Sequence, residues 1–157
     1  MGRSFRHSAA FGKRIELWVA GLLLHQGFDV FLPLVDDDAI DMILRGPTGN
    51  KLDVQVKARS GAAKIGNGGM FHGIPHPSER PDYFFLFYAE SVDAMWFMSS
   101  ADFLEHSTLL RSGKRNLGLT GRRKGREYPK ARYMPWMLGA DGAFDFGAIG
   151  RALETQI

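Results

Sequence analysis

Residues 39–58 read AIDMILRGPTGNKLDVQVKA, and this stretch decides the fold. Gly46, Pro47, Thr48, Gly49 and Asn50 form a strong turn signal between two short runs of alternating character. The runs 39–44 and 51–58 are therefore predicted to be strands joined by that turn, and so antiparallel neighbours. Side chains alternate faces along a strand. Val54 and Val56 then point to a core, while Asp53, Gln55 and Lys57 share the opposite face. If the strands pair, Asp41, between Ile40 and Met42, comes close to Gln55 and Lys57.

Upstream, a helix is expected over 9–25. Ile15, Leu17, Trp18, Val19, Leu22, Leu23 and Leu24 surround most of it, and Gly27 suits its end. A strand over 28–32, stopped by Pro33, and the acidic turn Asp36-Asp37-Asp38 complete a helix-then-meander pattern. Downstream, 60–81 is rich in Gly, Pro and His without a period and is expected to be a long loop. The apolar run 83–88 suits a strand buried on both faces. A fifth strand is expected at 95–98, and Ser100 or Asp102 as the cap of a helix reaching about 110. Phe146, Ile149, Leu153 and Ile157 lie at helical spacing in a final helix over about 144–157. The fold class expected is α/β, with a central mixed sheet of about five strands flanked by helices. It forms a single domain over 1–157: a core of about 9–110, a basic segment at 111–132 and the last helix.

Composition agrees with one soluble domain: 157 residues, 45% hydrophobic and 24% charged. The absence of cysteine excludes a disulfide framework and a thiolate zinc site. Arg3, Arg6, Lys13 and Arg14 precede an apolar run, but 17–24 is far shorter than the roughly 20 residues of a membrane span. No span or cleaved leader is expected, and the expected setting is cytoplasmic. The net charge of +3 hides an asymmetry. Nine Lys and Arg residues between Arg111 and Arg132 face only Glu127, so that segment carries +8 and the remainder −5. Such separation fits a surface facing a polyanion; a solvated basic loop is the alternative.

A carboxylate beside a carbonyl oxygen or second carboxylate suits Mg²⁺, which prefers hard oxygen ligands. The ion acidifies bound water and neutralises phosphate charge, and an adjacent ammonium adds to that stabilisation. Asp41, Gln55 and Lys57 fit those roles; a polar, solvated strand face is the other reading. Glu16 adds weight, since a carboxylate on a helix apolar almost all round needs a cation, a metal, a donor such as Lys57, or a place at the rim.

The helix carrying Glu16, the strand ending Ala39-Ile40-Asp41-Met42-Ile43-Leu44 and the strand Val54-Gln55-Val56-Lys57 resemble the PD-(D/E)XK nuclease superfamily. The likeness is to its restriction-endonuclease-like and Holliday-junction-resolvase-like branches, and it runs over about 11–104. It implies a restriction-endonuclease-like fold and catalytic residues Glu16, Asp41, Gln55 and Lys57. Of these, Asp41, Gln55 and Glu16 would hold Mg²⁺ or Mn²⁺, and Lys57 would be the motif lysine. Gln55 stands where the family more often has an acid, so the site loses one negative charge unless Glu16 or Asp53 compensates. The helix usual after the lysine strand is not evident in 60–81, and the basic segment has no assigned counterpart.

The function expected is metal-dependent hydrolysis of phosphodiester bonds in DNA or a structured nucleic acid. The alternatives are a nucleic-acid-binding module on the same fold without turnover, and a protein-interaction domain using the Met- and Trp-rich C-terminal region. Nucleic acid, DNA ahead of RNA, is the expected partner, with Arg122, Arg123, Lys124 and Arg126 on its phosphates; no membrane is expected, and a homodimer is left open. Tyr128, Tyr133 and Trp136 suit stacking on bases, although 133–137 also suits a core strand. His72 and His76 are separated by Gly73 and Pro75, which speaks against a helical zinc pair. Gly66-Asn67-Gly68-Gly69 lacks the lysine and helix of a phosphate loop and is taken as a flexible turn. Asp36-Asp37-Asp38 is taken as a solvated turn.

Overall fold

The turn at 46–50 closes a hairpin as its residues demand. Gly46 N–H donates to the Asn50 carbonyl at 2.8 Å, and Gly49 adopts a φ of 90° that side chains disfavour. The computed structural model describes residues 8–35, 37–63 and 68–155. In chain order they form α1 (Ser8–His25), β1 (Asp29–Phe31), β2 (Met42–Arg45), β3 (Lys51–Arg59), β4 (Met70–Pro75), β5 (Tyr83–Ala89), β6 (Ala94–Ser99) and α2 (Ser100–His106). There follow β7 (Thr108–Leu109), β8 (Lys114–Gly118), β9 (Thr120–Arg123), β10 (Arg126–Pro129), β11 (Met137–Ala140), β12 (Ala143–Phe144) and α3 (Gly147–Glu154).

The main sheet runs β1-β2-β3-β5-β6-β11-β12. Its neighbours are antiparallel except β3 and β5, which are parallel, so the α/β class and the mixed sheet hold. On one face α1 lays Val19, Ala20 and Leu23 against Met42, Leu44, Leu52, Val54 and Val56, joined by Ile149 and Leu153 of α3. On the other face Tyr83, Phe85, Phe87, Trp96 and Met98 pack with Phe71 and Ile74 of β4, Phe103 of α2 and Leu117 of β8. Both faces of β5 are therefore buried, as its unbroken apolar run requires. Among the described residues no helix is long and apolar enough to cross a membrane.

The main sheet has seven strands where about five were expected, the additions being β11 and β12, and further strands form outside it. The stretch 60–81, expected to be a loop, contains β4. Gly73 takes a φ of 65°, and the β4–β8 register shifts between Phe71 and Ile74. That bulge breaks the period of two that would have announced a strand. β4, β8 and β7 form a separate three-stranded sheet. α2 stops at His106 because Thr108 and Leu109 pair with β8. Its N-cap is neither Ser100 nor Asp102 but Ser99, whose hydroxyl accepts from Asp102 N–H at 3.1 Å. Residues Ala131–Trp136 form a 3-10 turn, and the strand begins only at Met137, after Pro135. The final helix is shorter than expected, since Ala143 and Phe144 belong to β12.

Candidate active site at the end of the β2–β3 pair

β2 pairs with β3 from Arg45↔Lys51 to Met42↔Val54, and there the regular ladder ends. Ala39, three residues before β2, sits in the left-handed region at a φ of 54°. That conformation costs a residue with a Cβ about 1–2 kcal/mol, and it turns the chain away from β3. The N–H of Val56 points toward the side β2 has just left, and its place is taken by a side chain. Asp41 Oδ2 accepts from it at 2.7 Å, while Asp41 N–H donates to the Val54 carbonyl at 2.9 Å. Along a strand the N–H and C=O of one residue point to the same neighbour, so the Val56 carbonyl also turns toward the Asp41 end.

Val54 and Val56 are buried under α1, which turns Asp53, Gln55 and Lys57 to the opposite face, as alternation required. Asp41, next to the α1-side Met42, lies beside Gln55. Gln55 is only 9% exposed and is gripped from β5. The Tyr83 hydroxyl lies 2.5 Å from the Ala39 carbonyl oxygen and 3.2 Å from Gln55 Oε1, and both oxygens accept from it. The Gln55 amide oxygen keeps a second lone pair. The Tyr83 ring is itself held, stacked on His76 at 5.4 Å with the Arg80 guanidinium 4.0 Å above it. Lys57 is half-buried and walls a cleft of about 170 Å³ with Arg59, Phe71, His72 and Ile74.

Gln55 and Lys57 thus share one face of β3, and Asp41 reaches the β3 backbone at Val56, between them in sequence. Glu16 lies on the sheet-facing stripe of α1 with Val19 and Ala20, so it comes from the other face of the sheet. Its Oε2 accepts from Lys13 Nζ at 2.7 Å, and its side chain is 18% exposed. Asp53 shares the Gln55 face. Burial raises its carboxyl above the usual range, as do Asp82 and Asp38, against the lowering effect of Arg80. Among the described residues no three His, Cys, Asp or Glu side chains cluster to hold a metal. A cation here would draw on the Asp41 carboxylate, the Gln55 amide oxygen and the Val56 carbonyl. That set is all hard oxygen, which fits Mg²⁺ or Mn²⁺.

The basic segment is folded. β9 and β10 make a hairpin whose two-residue turn places Lys124 at φ 49° and Gly125 at φ 78°, the pairing that suits a tight antiparallel ribbon. Arg122, Arg123, Lys124 and Arg126 are all exposed on it. The remaining sequence candidates resolve simply. His72 is exposed and His76 is 3% exposed, its Nε2 2.6 Å from Ser100 Oγ, so the two make no zinc pair. Gly66, Asn67 and Asp36 lie outside the described residues. Gly68 and Gly69 are buried, and a Cβ on Gly68 would collide with Ser91 Oγ. Tyr83 was not singled out from the sequence. Its signal was a hydroxyl heading an apolar strand, which burial obliges to find a partner.

The fold is similar to that of a bacterial homing endonuclease. The match has a TM-score of 0.66 at 18% identity and covers 96% of each chain. No protein-family model matches the chain, and neither does any curated protein sequence.

Proposed function

We propose that the chain is a metal-dependent nuclease acting on DNA, of the PD-(D/E)XK pattern, with Gln55 in the place of the second acid. What supports this is the Asp41 carboxylate on the β3 backbone at Val56, with Gln55 and Lys57 flanking that residue on one face of β3, on a fold similar to a homing endonuclease. Asp41, the Gln55 amide oxygen and the Val56 carbonyl would hold Mg²⁺ or Mn²⁺, with Glu16 as a further ligand from the α1 side. The bound ion supplies an acidified water and a positive charge for the phosphate. Lys57, on the Gln55 face, orients the attacking water and offsets charge developing on the phosphate oxygens. Tyr83 fixes the Gln55 amide by donating to its Oε1, whose second lone pair would be the one a cation takes. Asp41 spends one oxygen on Val56 N–H, which fixes the carboxylate before any ligand arrives.

The setting proposed is cytoplasmic, in keeping with the cysteine-free composition. A homodimer is the proposed assembly, because one site cuts one strand. The exposed run Phe31, Leu32, Leu34 and Val35 is the apolar surface it would cover, and light scattering across concentrations checks it.

A second reading, a nucleic-acid-binding module without turnover, is favoured by Gln55 itself, which removes one charge from the metal set. Cleavage of plasmid, branched DNA and structured RNA across Mg²⁺ and Mn²⁺ concentrations separates the two. The nuclease reading expects metal-dependent cleavage by the wild type that Asp41→Asn abolishes. If neither the wild type nor Gln55→Glu cuts any substrate, the binding module replaces it.

A further inference from the structure

The β9–β10 ribbon has two unlike faces. Its register pairs Thr120↔Pro129 and Arg122↔Glu127 on one face, Gly121↔Tyr128 and Arg123↔Arg126 on the other. The first face is tied down. Thr120 is fully buried, Gly69 N–H donates to both Thr120 Oγ1 and Glu127 Oε1 at 3.0 Å, and the Thr120 hydroxyl donates to the same Glu127 oxygen at 2.5 Å. Burial alone would raise the Glu127 carboxyl. The hydrogen bonds from Thr120, Ser91 and Gly69, with Arg122 opposite, outweigh it and hold the carboxyl below its usual range. The segment's single acid is thereby spent on the inner face.

Nothing anionic remains on the outer face. Tyr128 is 44% exposed, and its phenol end lies over Gly121, where a Cβ would come within 2.9 Å of Cζ and the hydroxyl. Arg123 and Arg126 stand directly opposite each other beside the turn, both exposed. Like charges so placed are unfavourable to a hairpin, and an anionic partner reverses that. Other cations of the segment serve the fold instead. Lys130 Nζ donates to the Gly118 carbonyl at 2.8 Å, and Arg115 donates to the Leu104 carbonyl and Ser107 Oγ at 3.2 Å.

We propose that the outer face of this ribbon, carrying Arg123, Arg126 and Tyr128, enters the major groove of B-form DNA and reads base edges there. This rests on the proposal that the chain acts on DNA. The groove is about 12 Å wide and admits a two-stranded ribbon, and arginine is the commonest reader of the guanine O6/N7 edge. Tyr128 supplies an apolar surface for a thymine methyl. The tip residue Lys124 and the inner-face Arg122 lie nearer the phosphates flanking the groove. Duplex RNA is disfavoured, since the A-form major groove is too deep and narrow for side chains to read.

The test is selection from a randomised DNA duplex pool in EDTA, so that binding is read apart from cleavage. Wild type, Arg123→Ala/Arg126→Ala, Tyr128→Ala and Lys124→Ala are compared after circular dichroism melts show each is folded. The wild type is expected to enrich a defined sequence and to bind it better than duplex RNA of the same sequence. The arginine pair is expected to lose guanine preference at the contacted positions and to bind the selected duplex at least tenfold more weakly. Tyr128→Ala is expected to relax the preference at a neighbouring thymine, and Lys124→Ala to weaken all duplexes alike. The proposal is overturned if the wild type enriches no sequence, if the arginine pair enriches the same sequence with undiminished selectivity, or if RNA binds equally well. A chain that selects through these residues yet cuts nothing in Mg²⁺ keeps the ribbon proposal and loses the nuclease reading. One that cuts DNA with unaltered selectivity in the arginine variant does the reverse.

Discussion

At the end of the β2–β3 pair the polar groups are turned inward and matched to one another; on the β9–β10 ribbon they are turned outward. Asp41 is held by two backbone groups of β3, and Gln55 by a tyrosine that is itself held between His76 and Arg80. The ribbon fixes only one face, through Thr120 and Glu127, and offers solvent the other. Chemistry needs groups whose positions are settled before the ligand comes. Electrostatic recognition of a long polyanion needs charge that is displayed and tolerant of position. The two regions have the properties those tasks ask for, and substitutions in them should fail in different ways.

The largest effect is expected at Asp41. Asp41→Ala removes the proposed metal ligand and should cost on the order of a thousandfold or more in cleavage. It also orphans Val56 N–H, which should lower stability by about 1–3 kcal/mol in a denaturant titration. Asp41→Asn keeps an acceptor for that N–H, so activity should disappear while the unfolding midpoint stays near that of the wild type. Lys57→Ala comes next. It should lose roughly a hundredfold in rate with metal affinity unchanged by calorimetry, because an ammonium is not a ligand. Gln55→Glu restores the missing charge and should tighten Mg²⁺ binding. An Asp41→Asn variant that cuts like the wild type would break the contrast at its stronger end.

On the ribbon the effects are expected to be smaller and graded. Replacing Arg122, Arg123 and Lys124 with alanine should leave metal affinity alone. It should flatten the salt dependence of DNA binding by roughly 0.7–0.9 in log–log slope for each phosphate that is no longer engaged. An unchanged slope would show that the ribbon is merely solvated.

The smallest effects concern pH. Burial, with Arg80 and Arg115 nearby, lowers the His76 pKa below its ordinary 6.5. The unfolded chain therefore takes up the proton first, and stability falls as pH drops through 6.5 until the folded value is passed. Glu127 behaves as an acid held below its ordinary 4.5. Its stabilisation is full above that value and is lost as pH falls through the folded one. Thermal melts from pH 7.5 to about 2.5 should show the His76 loss first, and Glu127→Gln should remove only the later one.

The hairpin around Gly46–Asn50 and the doubly buried β5 were legible because each rests on local chemistry: a turn composition and an unbroken apolar run. The helix α1 was legible as an element but not in its burial, since Leu17, Trp18 and Leu24 of the apolar surround are exposed. The sharing of one face by Gln55 and Lys57 followed from alternation alone. What escaped depended on contacts distant in sequence. β4 was hidden by its bulge at Gly73, and the short β7 and β12 exist only because β8 and β11 offer them partners. Tyr83 reaches Ala39 across 44 residues, a pairing that the β3–β5 register sets and that no local pattern announces. Glu16 was expected to meet a cation, a metal, a donor such as Lys57 or the rim, and its carboxylate accepts from Lys13 one helical turn away. The basic run gave its charge in the sequence, but only the ribbon register divides Arg122 from Arg123.

Everything proposed for the site turns on whether the Asp41 end of β2–β3 holds a divalent cation. Calorimetric titration of Mn²⁺ into the wild type and Asp41→Asn decides it. One bound ion per chain in the wild type, lost or weakened at least tenfold in Asp41→Asn, is the expected result. Equal affinity in both proteins, or no binding to the wild type at millimolar Mn²⁺, would contradict it.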